Sequence, residues 1–208
     1  MIAQLLEWAY PSKCALCGEF GDVPICPVCR SEMTPLDEDE RPRLADLDAV
    51  RSVHPYTGRA AQAVRRLKYD RVLTHAATMA DELASRIAPV IETFDVVVPV
   101  PIHWSRKCLR GFNQAEVLSE RLPRARCDLL VRTRRTRQQV GLTPEERLQN
   151  LRDAFAVTTR VEGLSVLLLD DVVTSGGTAR ECARALRSGG AARVELLTYC
   201  AGGSMSDL

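Results

Sequence analysis

The chain has 208 residues, 46% of them hydrophobic and 26% charged, with a formal net charge of +1. This is the composition of a soluble globular protein, with room for one ordinary domain and a small appendage. The near-neutral balance exerts no global pull toward nucleic acid or membrane, and no stretch approaches the roughly 18–20 apolar residues needed to span a bilayer.

The first ten residues lack a basic n-region and carry Gln4 and Glu7 within their apolar part, which argues against a signal peptide and for a cytoplasmic protein. Ile2, Leu5, Leu6 and Ala9 fall at helical spacing and predict a short amphipathic helix packed on the protein itself. Binding to a membrane surface is the weaker alternative, since the segment offers anionic lipid no Lys or Arg.

Cysteine usage falls into two classes. Cys14, Cys17, Cys26 and Cys29 form two Cys-x-x-Cys pairs separated by eight residues, whereas Cys108, Cys127, Cys182 and Cys200 are scattered. Two such knuckles supply four thiolates, which complete the tetrahedral shell of Zn2+ and leave no open position, so the site is structural. Redox-active or disulfide-bonded dithiols are the competing reading, but these more often occur as one Cys-x-x-Cys at a helix start. Cys127, Cys182 and Cys200 are expected to be buried thiols acting as small apolar residues. His54 and His75 have no ligand partners nearby in sequence and are expected to be structural.

Residues 1–34 are therefore taken as an N-terminal helix and zinc ribbon, and the acidic, proline-bearing stretch 35–48 as a linker. Residues 49–208 form the main domain. Strands are predicted at 50–56, 95–100, 128–131, 154–157, 166–169 and 194–199, and helices at 59–69, 75–91, 114–121 and 178–188. Apolar strands alternating with helices imply an α/β fold with a parallel sheet covered on both faces. Ligands of such sheets bind beyond the carboxyl ends of the strands.

At one of those ends lies the most informative run, Val166-Leu167-Leu168-Leu169-Asp170-Asp171-Val172-Val173-Thr174-Ser175-Gly176-Gly177-Thr178. An apolar strand ends in two carboxylates, then a small, hydroxylated loop enters a helix. Backbone amides at a helix N-terminus attract a phosphate, and Ser, Thr and Gly let it approach closely. The carboxylates suit vicinal hydroxyls or a hydrated divalent metal. Together they read as a ribose 5-phosphate cradle.

Asp170-Asp171-Val172-Val173-Thr174-Ser175-Gly176-Gly177-Thr178 resembles the phosphoribosyl pyrophosphate (PRPP) motif of type I phosphoribosyltransferases. The resemblance implies that Asp170 and Asp171 hold the ribose hydroxyls, that Thr174, Ser175, Gly176, Gly177 and Thr178 bind the 5′-phosphate, and that Mg2+ accompanies PRPP. The fold it implies is a parallel Rossmann-like sheet with flanking helices. Arg110-Gly111-Phe112-Asn113-Gln114, Leu67-Lys68-Tyr69 and the four-cysteine module resemble the ComF/GntX branch of that superfamily. Thr174 stands where hypoxanthine-type enzymes place a carboxylate, which lowers the expectation of hypoxanthine or guanine as acceptor.

Val98-Pro99-Val100-Pro101-Ile102-His103 leaves a strand end into a turn and a basic stretch, the place of the pyrophosphate loop in this family. Val100 and Pro101 would supply backbone contacts, with the Val100–Pro101 bond a candidate cis peptide. Arg106, Lys107 and Arg110 would neutralise diphosphate by charge-assisted hydrogen bonds, against the alternative of basic residues on a solvated loop. Gly111 is expected to permit a tight approach, Asn113 to cap a helix and Phe112 to pack rather than stack on a base. Trp104 either lines an acceptor pocket or packs.

The stretch Arg132 to Phe155, with Thr136, Gln139, Leu142, Arg147, Asn150 and Ala154, has the place of the loop that closes over type I sites. Its arginines also allow a nucleic-acid-tracking surface or a solvated loop. The implied activity is transfer of the 5-phosphoribosyl group to an unknown base or amine with release of pyrophosphate. The contrasting reading, implied by the competence-factor name of ComF, is a non-catalytic DNA-uptake adaptor that meets single-stranded DNA or a helicase partner. A third is a regulator that binds a purine-pathway metabolite. The oligomeric state, homo-oligomer included, stays open.

Overall fold

The computed structural model describes residues 12–21, 23–37, 42–70, 72–134 and 152–202. The helix expected at residues 1–10 and Thr136, Gln139, Leu142, Arg147 and Asn150 of the proposed closing loop lie outside the described residues.

In chain order, the elements are α1 (Pro27–Ser31), β1 (Ala49–Pro55), α2 (Gly58–Arg65), a π-helical turn (Arg66–Asp70), α3 (Ala76–Ile87), a 3-10 turn (Ile91–Thr93), β2 (Val96–Pro99), α4 (Trp104–Arg110), α5 (Gln114–Ser119), β3 (Leu130–Arg132), β4 (Phe155–Val157), β5 (Ser165–Val173), α6 (Gly177–Ser188) and β6 (Arg193–Ala201). Four strands form one sheet in the order β1-β6-β5-β2, and each neighbouring pair is parallel. The other two, β3 and β4, form a separate antiparallel ribbon, with Leu130 opposite Val157.

Strand β5 lies inside the sheet and is buried on both faces, which is why its sequence reads as continuous Val and Leu rather than as an alternation. On one face Leu167 and Leu169 pack with Leu197 and Tyr199 against α2, α3 and α5. On the other, Val166 and Leu168 pack with Val194 and Leu196 against α6 and the ribbon. Leu167, Leu168 and Leu169 are fully buried, each stabilising the fold by about 2 kcal/mol. The strand runs on through Asp170 and Asp171 to Val173, beyond the apolar stretch, because β6 continues to pair with it: Asp170 faces Thr198 and Val173 faces Ala201.

The cysteine module is built into the first of these cores. Cys14, Leu16, Ile25, Cys29 and Met33 share a cluster with Val64, Leu67, Met79 and Leu83. Polar contacts reinforce it: Gln62 donates to the Leu16 carbonyl at 3.0 Å, and the Tyr199 hydroxyl donates to Glu82 at 2.8 Å. His54 bridges the Thr34 carbonyl (2.8 Å) and Glu82 (3.0 Å). His75 is fully buried against the Ala63 carbonyl. Both histidines are structural. The stretch 42–48 also packs on the main domain, with Leu44 in the second core and Asp48 accepting from the Val194 amide at 2.7 Å.

Some local expectations are corrected. The basic stretch after Pro101 is helix α4, not an open loop. His103 caps it through Nδ1, which accepts from the Ser105 amide at 3.3 Å, and Gly111 ends it at φ +89°. A histidine cap is outside the usual Ser, Thr, Asp and Asn set, so the start signal was hidden. A Cβ on Gly111 would meet nothing within 4 Å, so this glycine ends a helix rather than admitting a close neighbour. The described peptide bonds, Val100–Pro101 among them, are all trans. Cys182 and Cys200 are buried, but Cys127 is exposed in the turn before β3. Trp104 is 70% exposed, whereas Phe112 packs on the first core.

Candidate functional site

A cleft of about 540 Å3 opens at the carboxyl ends of β5 and β2. Val100, Pro101, Arg106, Arg110, Asp170, Asp171, Thr174, Ser175, Gly176, Gly177 and Thr178 all line it. Its place follows from the topology, because adjacent parallel strands end together and their following loops diverge to opposite sides. The Val100 amide donates to the Leu169 carbonyl at 2.8 Å, which ties the start of one loop to the strand that feeds the other.

Successive strand residues face opposite sides, so the two carboxylates part. Asp171 points with Leu167 and Leu169 toward α2, where Lys68 Nζ lies 2.9 Å from its Oδ2. Asp171 is only 3% exposed. Burial favours the neutral amine of Lys68, but Asp171 and then Asp170 outweigh it and raise its pKa. Asp170 points with Leu168 toward α6 and is half-buried. Its Oδ1 accepts from the Asp171 amide at 2.9 Å. Burial first, and the neighbouring Asp171 charge second, push its carboxyl up to about 8.

The 174–178 segment leaves β5 as a turn with Thr174 and Ser175 exposed, and α6 begins at Gly177. Gly176 sits at φ +71°, and a Cβ there would fall 2.5 Å from both Leu44 methyls. The left-handed backbone favours glycine, and an added Cβ would also push the Leu44 side chain aside. Gly176→Ala is expected to cost about 2–4 kcal/mol in urea denaturation, from left-handed strain plus overpacking. Gly58→Ala, at φ +50° but facing open space, is the control and should cost about 1 kcal/mol.

Lys107 departs from the expected arrangement. It does not line the cleft; its Nζ pairs with Glu116 at 2.7 Å, because α4 turns that side toward α5. Other residues line the cleft that the motif does not include. Lys68 comes from the π-helical turn and Arg132 from β3. Burial and the nearby Arg106 lower the pKa of Arg132, while Cys182 and Asp170 act oppositely, so Arg106, Arg132 and Asp170 share one region. The Arg110 guanidinium lies over the Tyr69 ring, 5.5 Å from its centroid. Gln114 is 3% exposed, and its buried Nε2, at the cleft wall, lacks a hydrogen-bond partner.

Asn113 holds this wall in place. Its Oδ1 accepts from the Ala115 amide at 3.1 Å, capping α5, and its Nδ2 donates to the Val100 carbonyl at 3.0 Å. Asn113→Ala removes the cap and strands a buried carbonyl, so a loss of about 2–3 kcal/mol is expected in thermal or urea unfolding.

Outside the lining of the cleft, the Sγ atoms of Cys14, Cys17, Cys26 and Cys29 all lie within 4.8 Å of one another. Those of Cys17 and Cys26 are 3.7 Å apart, close to the ~3.8 Å between sulfurs on a tetrahedral zinc. The amides of Leu16 and Cys26 approach Cys14 Sγ at 3.4 and 3.3 Å. Burial opposes ionisation of Cys14, yet these backbone donors bring its thiol down to about 6. Burial and the three neighbouring cysteines push Cys29 up to about 12. Four converging thiols, which a divalent cation would bind as thiolates, make a closed tetrahedral donor set. The donor set fits structural zinc.

Among the described residues, no helix is long and apolar enough to cross a membrane. The family model for the phosphoribosyl transferase domain matches residues 71–206. DNA utilization protein YhgH of Salmonella typhimurium is 35% identical over 160 residues, covering 72% of this chain and 70% of that protein. Competence protein ComFC of Bacillus subtilis is 29% identical over 194 residues, 89% of this chain and 76% of that protein. Among solved structures, Trypanosoma cruzi hypoxanthine phosphoribosyl transferase is similar at 18% identity and a TM-score of 0.40, covering 59% of this chain and 63% of that one. The cleft, the family match and these relatives together place the chain in the phosphoribosyl transferase domain family, in its ComF-like branch with an N-terminal four-cysteine module.

Proposed function

We propose that the cleft binds PRPP and transfers its 5-phosphoribosyl group to a nitrogenous base or amine. The observation that carries this reading is the convergence, in one cleft, of the half-buried Asp170 carboxylate with the exposed Thr174–Ser175 turn and the start of α6. The loop amides and hydroxyls would take the 5′-phosphate, and Asp170 a ribose hydroxyl. In the transfer, the C1–O bond to diphosphate breaks and its electron pair leaves with the diphosphate. The nucleophile's lone pair forms the new C1–N bond, and its proton passes to solvent. Arg106 and Arg110 line the cleft with Val100 and Pro101, and there they would stabilise the departing diphosphate charge.

Kinship with phosphoribosyltransferases implies Mg2+ with PRPP. The acidic pair is a poor seat for it, because Lys68 already neutralises Asp171 at 2.9 Å and would repel a dication. No step above depends on it. Isothermal titration of the full chain with PRPP tests the proposal. Micromolar binding, with ribose 5-phosphate as a weaker competitor, is expected; absence of PRPP binding would end it.

A second reading draws on the relatives named for competence and DNA utilization. Beside the cleft, Tyr69 and Trp104 are 69% and 70% exposed, with Arg106 and Arg110 adjacent, the aromatic and basic mixture that suits single-stranded DNA. Affinity for an oligonucleotide that falls steeply with salt, without pyrophosphate release on any base or amine, would favour this adaptor role.

A further inference from the structure

An ion pair inside the cleft, Lys68 with Asp171, is built from an element outside the PRPP motif. The chain widens into a π-helical turn at Arg66–Asp70 directly after α2, a distortion that re-aims side chains and recurs at functional sites. Within the turn Leu67 is fully buried and Tyr69 is 69% exposed. Between them, Lys68 keeps 19% of its side chain exposed and reaches Asp171 at 2.9 Å. An ammonium group has three donors. Paired with Asp171 by charge at 2.9 Å, Lys68 has donors to offer ligand oxygens on the side of the cleft that it lines. In all, four basic side chains (Lys68, Arg106, Arg110 and Arg132) and two acidic ones line the cleft, so its walls carry net positive charge.

A free divalent ion near a ribose diphosphate has two tasks, to offset the ligand's charge and to bridge its oxygens to the protein's acids. A tethered ammonium fixed on one of those acids performs both, and its presence disfavours a dication at the same place. We propose that Lys68 takes the part of the divalent cation at the acidic pair, so that the cleft binds a phosphorylated pentose diphosphate on the chain's own charges. The inference rests on the PRPP-binding reading above and goes further by assigning the counter-ion.

The test is isothermal titration of the full chain with PRPP, in magnesium-free buffer stripped over chelating resin before protein is added, and in the same buffer with Mg2+. The cysteine site is thus left untouched. Wild type is expected to bind with dissociation constants within about threefold of each other. Lys68→Met should lose at least tenfold in magnesium-free buffer and regain most of it with Mg2+, which the bared Asp171 can then accept. Lys68→Arg, which keeps the charge, should stay within about tenfold of wild type without metal, and thermal melts check that each variant folds. Wild-type binding that requires Mg2+ would overturn the inference, as would a folded Lys68→Met that binds normally without it. Should Lys68→Met not fold, the wild-type comparison alone decides. PRPP binding absent in both buffers would instead overturn the proposed function, and this inference with it.

Discussion

Removing the metal from the cysteine cluster, by a chelator or by Cys29→Ser, is expected to lower the melting temperature by about 8–16 °C. The module has few residues and cannot hold itself together by burial alone; in small metal sites the binding free energy is folding free energy. What is lost also reaches beyond the module. Cys14, Leu16, Ile25, Cys29 and Met33 share a core with α2 and α3, and Arg30 reaches Glu82 at 3.0 Å. An unravelled module exposes that face. About 4 kcal/mol of lost stability at 2–4 °C per kcal/mol gives the stated range for a chain of this size. Metal analysis should find one zinc per chain, absent in Cys29→Ser. Cys108→Ser and Cys127→Ser, at exposed positions outside the cluster, should melt as wild type. A wild type that holds no zinc as purified, or whose melting temperature a chelator leaves unchanged, would show that the cluster is not a zinc site.

Much of this organisation was legible because it is local in sequence. An apolar run bounded by acids and small residues announces a buried strand with a phosphate loop, and paired Cys-x-x-Cys knuckles announce a closed metal site. The contributions that escaped come from non-local packing. Lys68 is 103 positions from Asp171 by number, and only the packing of α2 and its π-helical extension on the sheet brings the two to 2.9 Å. Whether Lys107 faces diphosphate or Glu116 depends on the rotation of α4, which periodicity in a seven-residue helix does not determine. Leu44 looked like part of a structureless connection, yet its side chain packs where a Cβ on Gly176 would lie. The burial of Asp171 was equally hidden, since adjacent carboxylates read as equivalent until strand alternation separates them.

That separation gives Asp170→Asn and Asp171→Asn opposite expected effects on stability. Asp170 has an ordinary carboxyl value near 3.8 when unfolded and is raised to about 8 in the fold. Between about pH 4 and 8 the folded chain therefore holds a proton that the unfolded chain has released, so this group's contribution to stability falls as pH rises through that window. Asparagine does not ionise, and Asp170→Asn should melt above wild type, with a gap that widens from pH 5 to 8 and then levels. At pH 9, where the wild-type carboxylate is ionised, the same variant loses the charged acceptor for a ribose hydroxyl, and PRPP affinity should drop about 10- to 150-fold, the range for one hydrogen bond to a charged group. At pH 5–7 the drop should be smaller. Asp171→Asn instead leaves the Lys68 ammonium without its partner. A loss of about 2–4 kcal/mol is expected, below that of a fully buried pair because Lys68 keeps 19% of its side chain exposed. Thermal melts of both variants at pH 5, 7 and 9, beside PRPP titrations, check the pair of outcomes. An Asp170→Asn protein that binds PRPP as tightly as wild type would remove Asp170 from the ribose. One that also melts lower at pH 9 would show that its carboxyl is a structural group stabilised by the fold, not an ionised acceptor held there at a cost for the ligand.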